Sequence, residues 1–261
     1  MNDVADWWQT DIIDMAPGQI RLRGYPIEDL IGSIGFAEMV WLMTRGQKPQ
    51  KAQAALFEAA LVSAVDHGPQ APSIAAARMA VSCGLSLNNA MASAVNMLGD
   101  VHGGAGEQAM QFFHDVRQAA QLADLEVAID QTYQAHGGFV PGFGHRFHKN
   151  ADPRSVRLLA LVDTAVADGV CSGEFARIGA AVESYLERLK GKPIPMNVDG
   201  ATAVIYAELG FAPALARGLF CLSRSVGVLA HAYEQSGRKE RNKGPTPPHY
   251  LWTYGGDNPI D

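Results

Sequence analysis

The stretch LARGLFCLSRSVGVLAHAY, Leu215 to Tyr233, decides the fold class. Leu215, Leu219, Leu222, Val226, Leu229 and Tyr233 step by four and three, so a helix gathers them on one face. Arg217, Arg224 and His231 step by seven and fall opposite. The expectation is a helix that packs through its leucine stripe and presents cations on its other side. Working outward, KAQAALFEAALVSAV (51–65), 88–98 and SVRLLALVDTAVA (155–167) carry the same helical character. Only QIRLR (19–23) alternates like a strand, with Gly24-Tyr25-Pro26 as its turn. Glycine and proline gather at 66–72, 103–106, 137–144 and 190–195, which predicts loops between helices. The fold is expected to be all-α, with at most a small β element near the N-terminus. The chain from Gly237 to Asp261 is Pro/Gly-rich and charged, and is expected to run as an extended arm over the surface.

The chain has 261 residues, 48% of them hydrophobic and 18% charged, which is enough to build a full core. Its formal net charge of −6 argues against a nucleic-acid partner, which calls for a basic face. Local arginines can still bind an acidic ligand. Cys83, Cys171 and Cys221 form no disulfide framework and no CxxC spacing, so a cytoplasmic location is expected. Met1 to Asp14 has no basic stretch followed by an apolar core, and no signal peptide is expected. No run of about 18 apolar residues predicts a membrane helix.

Four loops set a His or Asp beside Gly or Pro. They are Asp66-His67-Gly68-Pro69, Asp100 to Ala105 (DVHGGA), Val140 to Arg146 (VPGFGHR) with Lys149 to Arg154 (KNADPR), and Asn197-Val198-Asp199-Gly200. Glycines let a ligand approach the backbone. A helix starting after Gly103 or Gly200 would aim N–H groups at an anion. Histidine exchanges protons near neutral pH, and Asp199 in an apolar setting is a candidate base. Each signal has a plainer reading. A lone His beside Gly is commonly a satisfied turn residue, Asp199 can be a helix N-cap, and Arg224 a surface or salt-bridged arginine. Arg217 and His231 read as structural or surface residues. Trp7, Trp8 and Trp41 read as packing residues, and His114, His136, His148 and His249 stay unassigned. No histidine pair has HxxxH or HExxH spacing, so no metal is expected.

The order of these loops resembles the citrate synthase superfamily. RGYPIEDL at Arg23, HGGA at His102, PGFGHR at Pro141, KNADPR at Lys149 and NVD at Asn197 carry the likeness along nearly the whole chain. DHGP at Asp66, NVDG at Asn197, the helix around Arg224 and the short length lean toward the citryl-CoA lyase branch. His102, similar to the synthases' enol-stabilising histidine, leans the other way. The resemblance implies one citrate synthase-like domain over 1–261, shortened at its N-terminus. It also implies a small helical subdomain at roughly 106–195 inserted in a large one, and an arm at 237–261.

The resemblance implies roles as well. Asp199 moves the proton of the acetyl carbon, His102 hydrogen-bonds the thioester oxygen, and His145 serves the oxaloacetate carbonyl or the tertiary hydroxyl. His67, Arg154 and Arg224 are expected to bind substrate carboxylates, with Arg241 or Arg238 supplied across a homodimer or higher even oligomer. Val140, Gly142, Phe143, Gly144, Arg146 and Lys149 are expected to face coenzyme A. Coenzyme A enters as the thioester substrate, and no permanently bound cofactor or metal is implied. The implied activity is citryl-CoA cleavage. The alternatives are a short citrate or 2-methylcitrate synthase, and a non-catalytic acyl-CoA or dicarboxylate binder.

Overall fold

A computed structural model describes residues 4–257; the ends of the expected N-terminal and arm segments, 1–3 and 258–261, lie outside the described residues. The chain opens with a 3-10 turn at Val4–Trp8. An antiparallel sheet follows in the order β1 (Ile13–Ala16), β2 (Gln19–Leu22), β3 (Tyr25–Pro26). Tyr25-Pro26 is therefore a short strand, and the turn falls at Arg23-Gly24, both at positive φ (50° and 85°). That pairing matches the primed turns that suit a two-residue hairpin.

Helices make up the rest: α1 (Ile27–Leu30), α2 (Phe36–Arg45), α3 (Lys51–Ser63), α4 (Pro72–Ser82), α5 (Leu87–Val95), α6 (Ala105–Ala119), α7 (Leu125–Ala135), α8 (Pro153–Ala167), α9 (Glu174–Lys190), α10 (Val198–Glu208) and α11 (Pro213–Ser236). The all-α expectation holds. The chain divides into two compact units. The first runs to Ser63 and again from Gly106 to Ala216; the second comprises Ala64–Ala105 and the chain from Arg217 onward.

In the first unit α10 is apolar on nearly every side and packs against α3, α8 and α9. A helix apolar all round belongs at the centre of a core. Beside it, Phe57 and Phe211 stack at 5.1 Å, and Trp41 meets both rings edge-on at 5.6 and 4.9 Å. Each such buried ring contributes about 1.5–3 kcal/mol. Trp41 is a packing residue, as expected, whereas Trp7 and Trp8 are 79% and 86% exposed and are not.

In the second unit α4 packs on α5, and Ala71, Ile74, Ala77, Ala90, Ala94, Val228 and Ala232 form its core. Small side chains let these helices approach closely. The leucine stripe of α11 does not supply that core. Leu222, Val226, Leu229 and Tyr233 are exposed, while Arg224 is 5% exposed and Gly227, Val228 and Ala232 are buried. Leu219 of the stripe is buried, at 1% exposed, but from Leu222 onward the expected orientation of α11 is reversed within this unit. Gly227 and Ala232 permit contacts that leucines would block.

Residues 237–257 form neither helix nor strand and are exposed. The arm is tied to the end of α4, where Asn242 N and Lys243 N donate to Ser82 O and Oγ, both at 2.9 Å. Among the described residues no helix is long and apolar enough to cross a membrane.

Candidate active site

In the first unit the 141–148 loop is sewn to the start of α10. Gly144 N donates to Pro195 O (2.7 Å), Asn197 N to Gly142 O (3.0 Å) and Asn197 Nδ2 to Gly144 O (2.8 Å). Glu183 accepts from Met196 N (2.9 Å), and Ser155 Oγ donates to Met196 O (2.8 Å). Asn197 is also the N-cap of α10, its Oδ1 accepting from Asp199 N at 2.9 Å and Gly200 N at 3.3 Å. The capping alternative for Asp199 is thereby overturned: Asn197 performs it, and Asp199 sits in the first turn, half-buried.

Gly142 and Gly200 are required by this junction itself. A Cβ at Gly142 would stand 2.8 Å from Gly200 Cα and 2.9 Å from Ala109 Cβ, and a Cβ at Gly200 would collide with Gly142 O. Gly142 also holds φ +84°, the region that glycine occupies without strain. The expected anion site at the start of α10 is not open, because Asn197 already binds the Asp199 and Gly200 N–H groups.

The same loop fixes the tautomer of His145. Phe147 N and His148 N both donate to its Nδ1 at 3.1 Å. Backbone N–H groups only donate, so Nδ1 is the lone-pair nitrogen and Nε2 carries the proton. Burial lowers the pKa of His145, and repulsion from His148 adds to this; Asp152 opposes it, while Arg154 and Lys149 reinforce it. The ring is a neutral Nε2–H donor.

Arg154 forms a two-pronged pair with Asp152, Nε to Oδ1 at 3.0 Å and Nη2 to Oδ2 at 2.8 Å. Asp152, 1% exposed, also caps α8 through Arg154 N. Burial opposes ionisation of Asp152, but the Arg154 hydrogen bonds outweigh it and hold the carboxyl below its usual range. Of the residues expected to face coenzyme A, Val140 and Gly142 are buried, Phe143 and Gly144 half-buried, and Arg146 and Lys149 exposed. The Arg146 guanidinium lies over the Phe147 ring at 5.3 Å.

In the second unit His102 rides a tight loop closed by Gly99 N donating to His102 O at 2.8 Å. Gly103 holds φ +96°, and a Cβ at Gly104 would stand 2.8 Å from both Asp100 Cα and Gly99 O. Both glycines are therefore conditions of the loop itself. Arg217 Nη2 secures it through Asp100 Oδ1 at 2.6 Å, the structural role expected of Arg217. Ser73, at the start of α4, donates its N–H to His102 Nε2 at 3.2 Å, with its hydroxyl 3.0 Å away. Nε2 must accept, so Nδ1 carries the proton. Burial and then the Arg224 charge lower the His102 pKa and keep the ring neutral.

Arg224 is buried rather than on the surface. Its Nε donates to Ala64 O at 3.1 Å, and its guanidinium lies over Phe220 at 4.8 Å. His67 is exposed at the tip of its loop. Arg241 is exposed on the arm, and Arg238 bonds Glu234 at 2.6 Å. Sequence reasoning missed Ser73, Asp152 and Asn197. For Asn197 there was a local signal, an Asn two residues before the Asp in a helix start; for Ser73 there was none.

The second unit thus holds His67, His102, Arg224 and Arg241, and the first holds His145, Arg154 and Asp199. A helical chain carrying these loops is matched by the C-terminal domain of citrate synthase over residues 35–244. The chain belongs to the citrate synthase family. It is 32% identical over 205 residues to the citrate synthase of Haloferax volcanii, covering 78% of this chain and 52% of that one. With the 2-methylcitrate synthase of Mycobacterium tuberculosis it shares 30% over 220 residues, covering 83% and 53%. It therefore spans about half the length of the curated relatives it matches. The citryl-CoA lyase from Hydrogenobacter thermophilus superposes with a TM-score of 0.88 at 33% identity, covering 98% of this chain and 97% of that one.

Proposed function

We propose that this protein is a citryl-CoA lyase, cleaving citryl-CoA to acetyl-CoA and oxaloacetate. The observation that carries this reading is the superposition with the Hydrogenobacter enzyme along both chains at a TM-score of 0.88 and 33% identity; the curated synthases match over half their length, and a Thermotoga maritima citrate synthase matched along both chains superposes at only 0.57. The chemistry is proton transfer around one carbon–carbon bond. His145 Nε2–H first gives its proton to solvent, the two N–H groups at Nδ1 stabilising the deprotonated ring. The tertiary hydroxyl proton then moves to the vacated Nε2 as the bond breaks, restoring the neutral ring. The bonding electrons pass to the acetyl carbon and its thioester oxygen, where His102 Nδ1–H donates. Asp199 returns a proton to that carbon, leaving acetyl-CoA and oxaloacetate. Condensation is the same path reversed, and His145 is then the proton donor.

His67, Arg154, Arg224 and Arg241 are assigned to the substrate carboxylates. Arg241 is preferred to Arg238 as the residue supplied across the dimer, because Arg238 already bonds Glu234. Arg154 would share its guanidinium with Asp152. The 140–149 segment is assigned to coenzyme A, which enters as substrate, with no permanently bound cofactor. Residues 106–195 are assigned as the small subdomain, and the protein is assigned to the cytoplasm. A second copy is assigned to the apolar face of α11, where Leu222, Val226, Leu229 and Tyr233 stand 48%, 59%, 42% and 70% exposed. Sedimentation of the Leu222→Glu, Val226→Glu double variant is expected to give a monomer where the wild type gives a dimer.

The deciding assay supplies purified protein with citryl-CoA and follows oxaloacetate, then with acetyl-CoA or propionyl-CoA plus oxaloacetate and follows free thiol. Oxaloacetate release is expected in the first. Thiol release in the second, with no cleavage in the first, favours the citrate or 2-methylcitrate synthase reading that the sequence relatives support. Binding of an acyl-CoA without turnover in either assay leaves a non-catalytic binder.

A further inference from the structure

One face of α11 grips three consecutive residues of the loop that ends in His67. Arg224 Nε donates to Ala64 O at 3.1 Å, and Gly227 N donates to Val65 O at 3.1 Å. His231 Nε2 lies 3.2 Å from Asp66 Oδ1. These residues stand at i, i+3 and i+7, one above another on the helix. The approach is close enough that a Cβ at Gly227 would collide with Val65 O and stand 3.0 Å from Asp66 Oδ1.

The hydrogen bonds of His231 have a defined direction. Arg78 Nη1 lies 3.1 Å from His231 Nδ1 and also donates to Glu234 Oε2 at 2.6 Å. A guanidinium has no acceptor, so Nδ1 accepts and the ring proton resides on Nε2, facing Asp66. The Asp66 carboxylate in turn accepts from Gly68 N at 3.2 Å and from the His67 backbone. A chain of charge-assisted hydrogen bonds runs from Glu234 through Arg78, His231 and Asp66 to the two amides that flank the His67 side chain. Burial opposes ionisation of Asp66, but the bond from His231 and those from Gly68 and His67 hold its carboxyl below the usual range.

We propose that His231 is a positioning residue: as an Nε2–H donor held by Arg78, it orients Asp66 and so places His67 for a substrate carboxylate. This rests on the assignment of His67 above, while the hydrogen-bond chain stands on its own geometry. Sequence alone gave His231 only a structural or surface role, and the direction of its two bonds gives it a task.

The test compares His231→Leu with His231→Gln. Leucine fills the volume without polar atoms. Glutamine supplies an acceptor for Arg78 and a donor for Asp66, as the imidazole does. In citryl-CoA cleavage, His231→Leu is expected to raise KM about tenfold or more, with kcat nearly unchanged, the size of a lost hydrogen bond to a charged group. His231→Gln is expected to return KM close to wild type. Amide hydrogen exchange at His67 and Gly68 supplies a readout independent of turnover, faster in the Leu variant and near wild type in the Gln variant, with circular dichroism confirming equal helix content. Equal KM and equal exchange in the Leu variant, or a Gln variant no better than Leu, overturns the proposal. A wild type that cleaves nothing, with the exchange pattern as expected, overturns the lyase assignment and leaves the loop-positioning role standing.

Discussion

The loops that carry His102 and His145 solve one problem by different means. Each presents a neutral imidazole with its proton on a chosen nitrogen. His145 takes its direction from its own loop, the N–H groups two and three residues on. His102 takes its direction from Ser73, 29 residues away on another element. The local device is encoded wherever the loop folds. The distant device exists only when α4 is packed. The ring proton is correspondingly on Nε2 of His145 and on Nδ1 of His102, so two like residues hold their N–H on different atoms.

The largest expected effect tests whether these two donors need a base. Asp199→Asn is expected to lower citryl-CoA cleavage by about 10²–10⁴-fold, the range for one general acid–base group, with helix content unchanged. A fully active Asn variant removes Asp199 from the mechanism and leaves the histidines without a proton source.

Next is Gly142→Ala. It places a methyl group against Gly200 and Ala109 at a φ of +84°. Overpacking and strain together are expected to cost about 2–5 kcal/mol, read as a lower thermal midpoint. Unchanged stability would mean that the His145 loop is not held by its junction with α10.

Acid should disable both histidines. Each folded-state pKa lies below the ordinary 6.5. The unfolded rings therefore take up protons first, so stability is held above about 6.5 and lost as pH falls through the folded values. Activity is expected to fall on the acid side with an apparent pKa under 6.5, because protonation abolishes the acceptor nitrogen of either ring. A pH–rate profile with its acid limb above that value contradicts the neutral-ring account.

The smallest effects separate the two devices. Ser73→Ala removes the hydroxyl from His102 but keeps the N–H bond, and is expected to cost about three- to tenfold in kcat. His148→Ala keeps both amides on His145 and is expected to stay within about twofold. Should the second variant lose more than the first, the division into a local and a distant device is wrong.

Much of the fold was legible in the sequence. The helical periodicity, the glycine-bearing loops and a strand near Gln19 all appear where expected, because local spacing and turn chemistry determine them. The residues that carry the family likeness were also legible, and their grouping by unit adds geometry to them. The reversal of α11 was not, because a four-and-three spacing identifies residues that share a face without saying which face is covered. Gly227, Ala232 and the carbonyls of Ala64 and Val65 decide that. The close approach of backbone to backbone at Gly142 and Gly200 was not legible either, because it joins two loops far apart in sequence.

By itself, then, the sequence determined the helices, the loops between them and the kinds of side chain on each loop, since those follow from forces acting over a few residues. The tertiary structure alone decided which helix face is buried, that Asn197 rather than Asp199 caps α10, and which nitrogen of His102 and His231 bears the proton. A tautomer is set by its hydrogen-bond partner, and the partners of these two rings, Ser73, Arg78 and Asp66, come from distant parts of the chain and meet them only after folding.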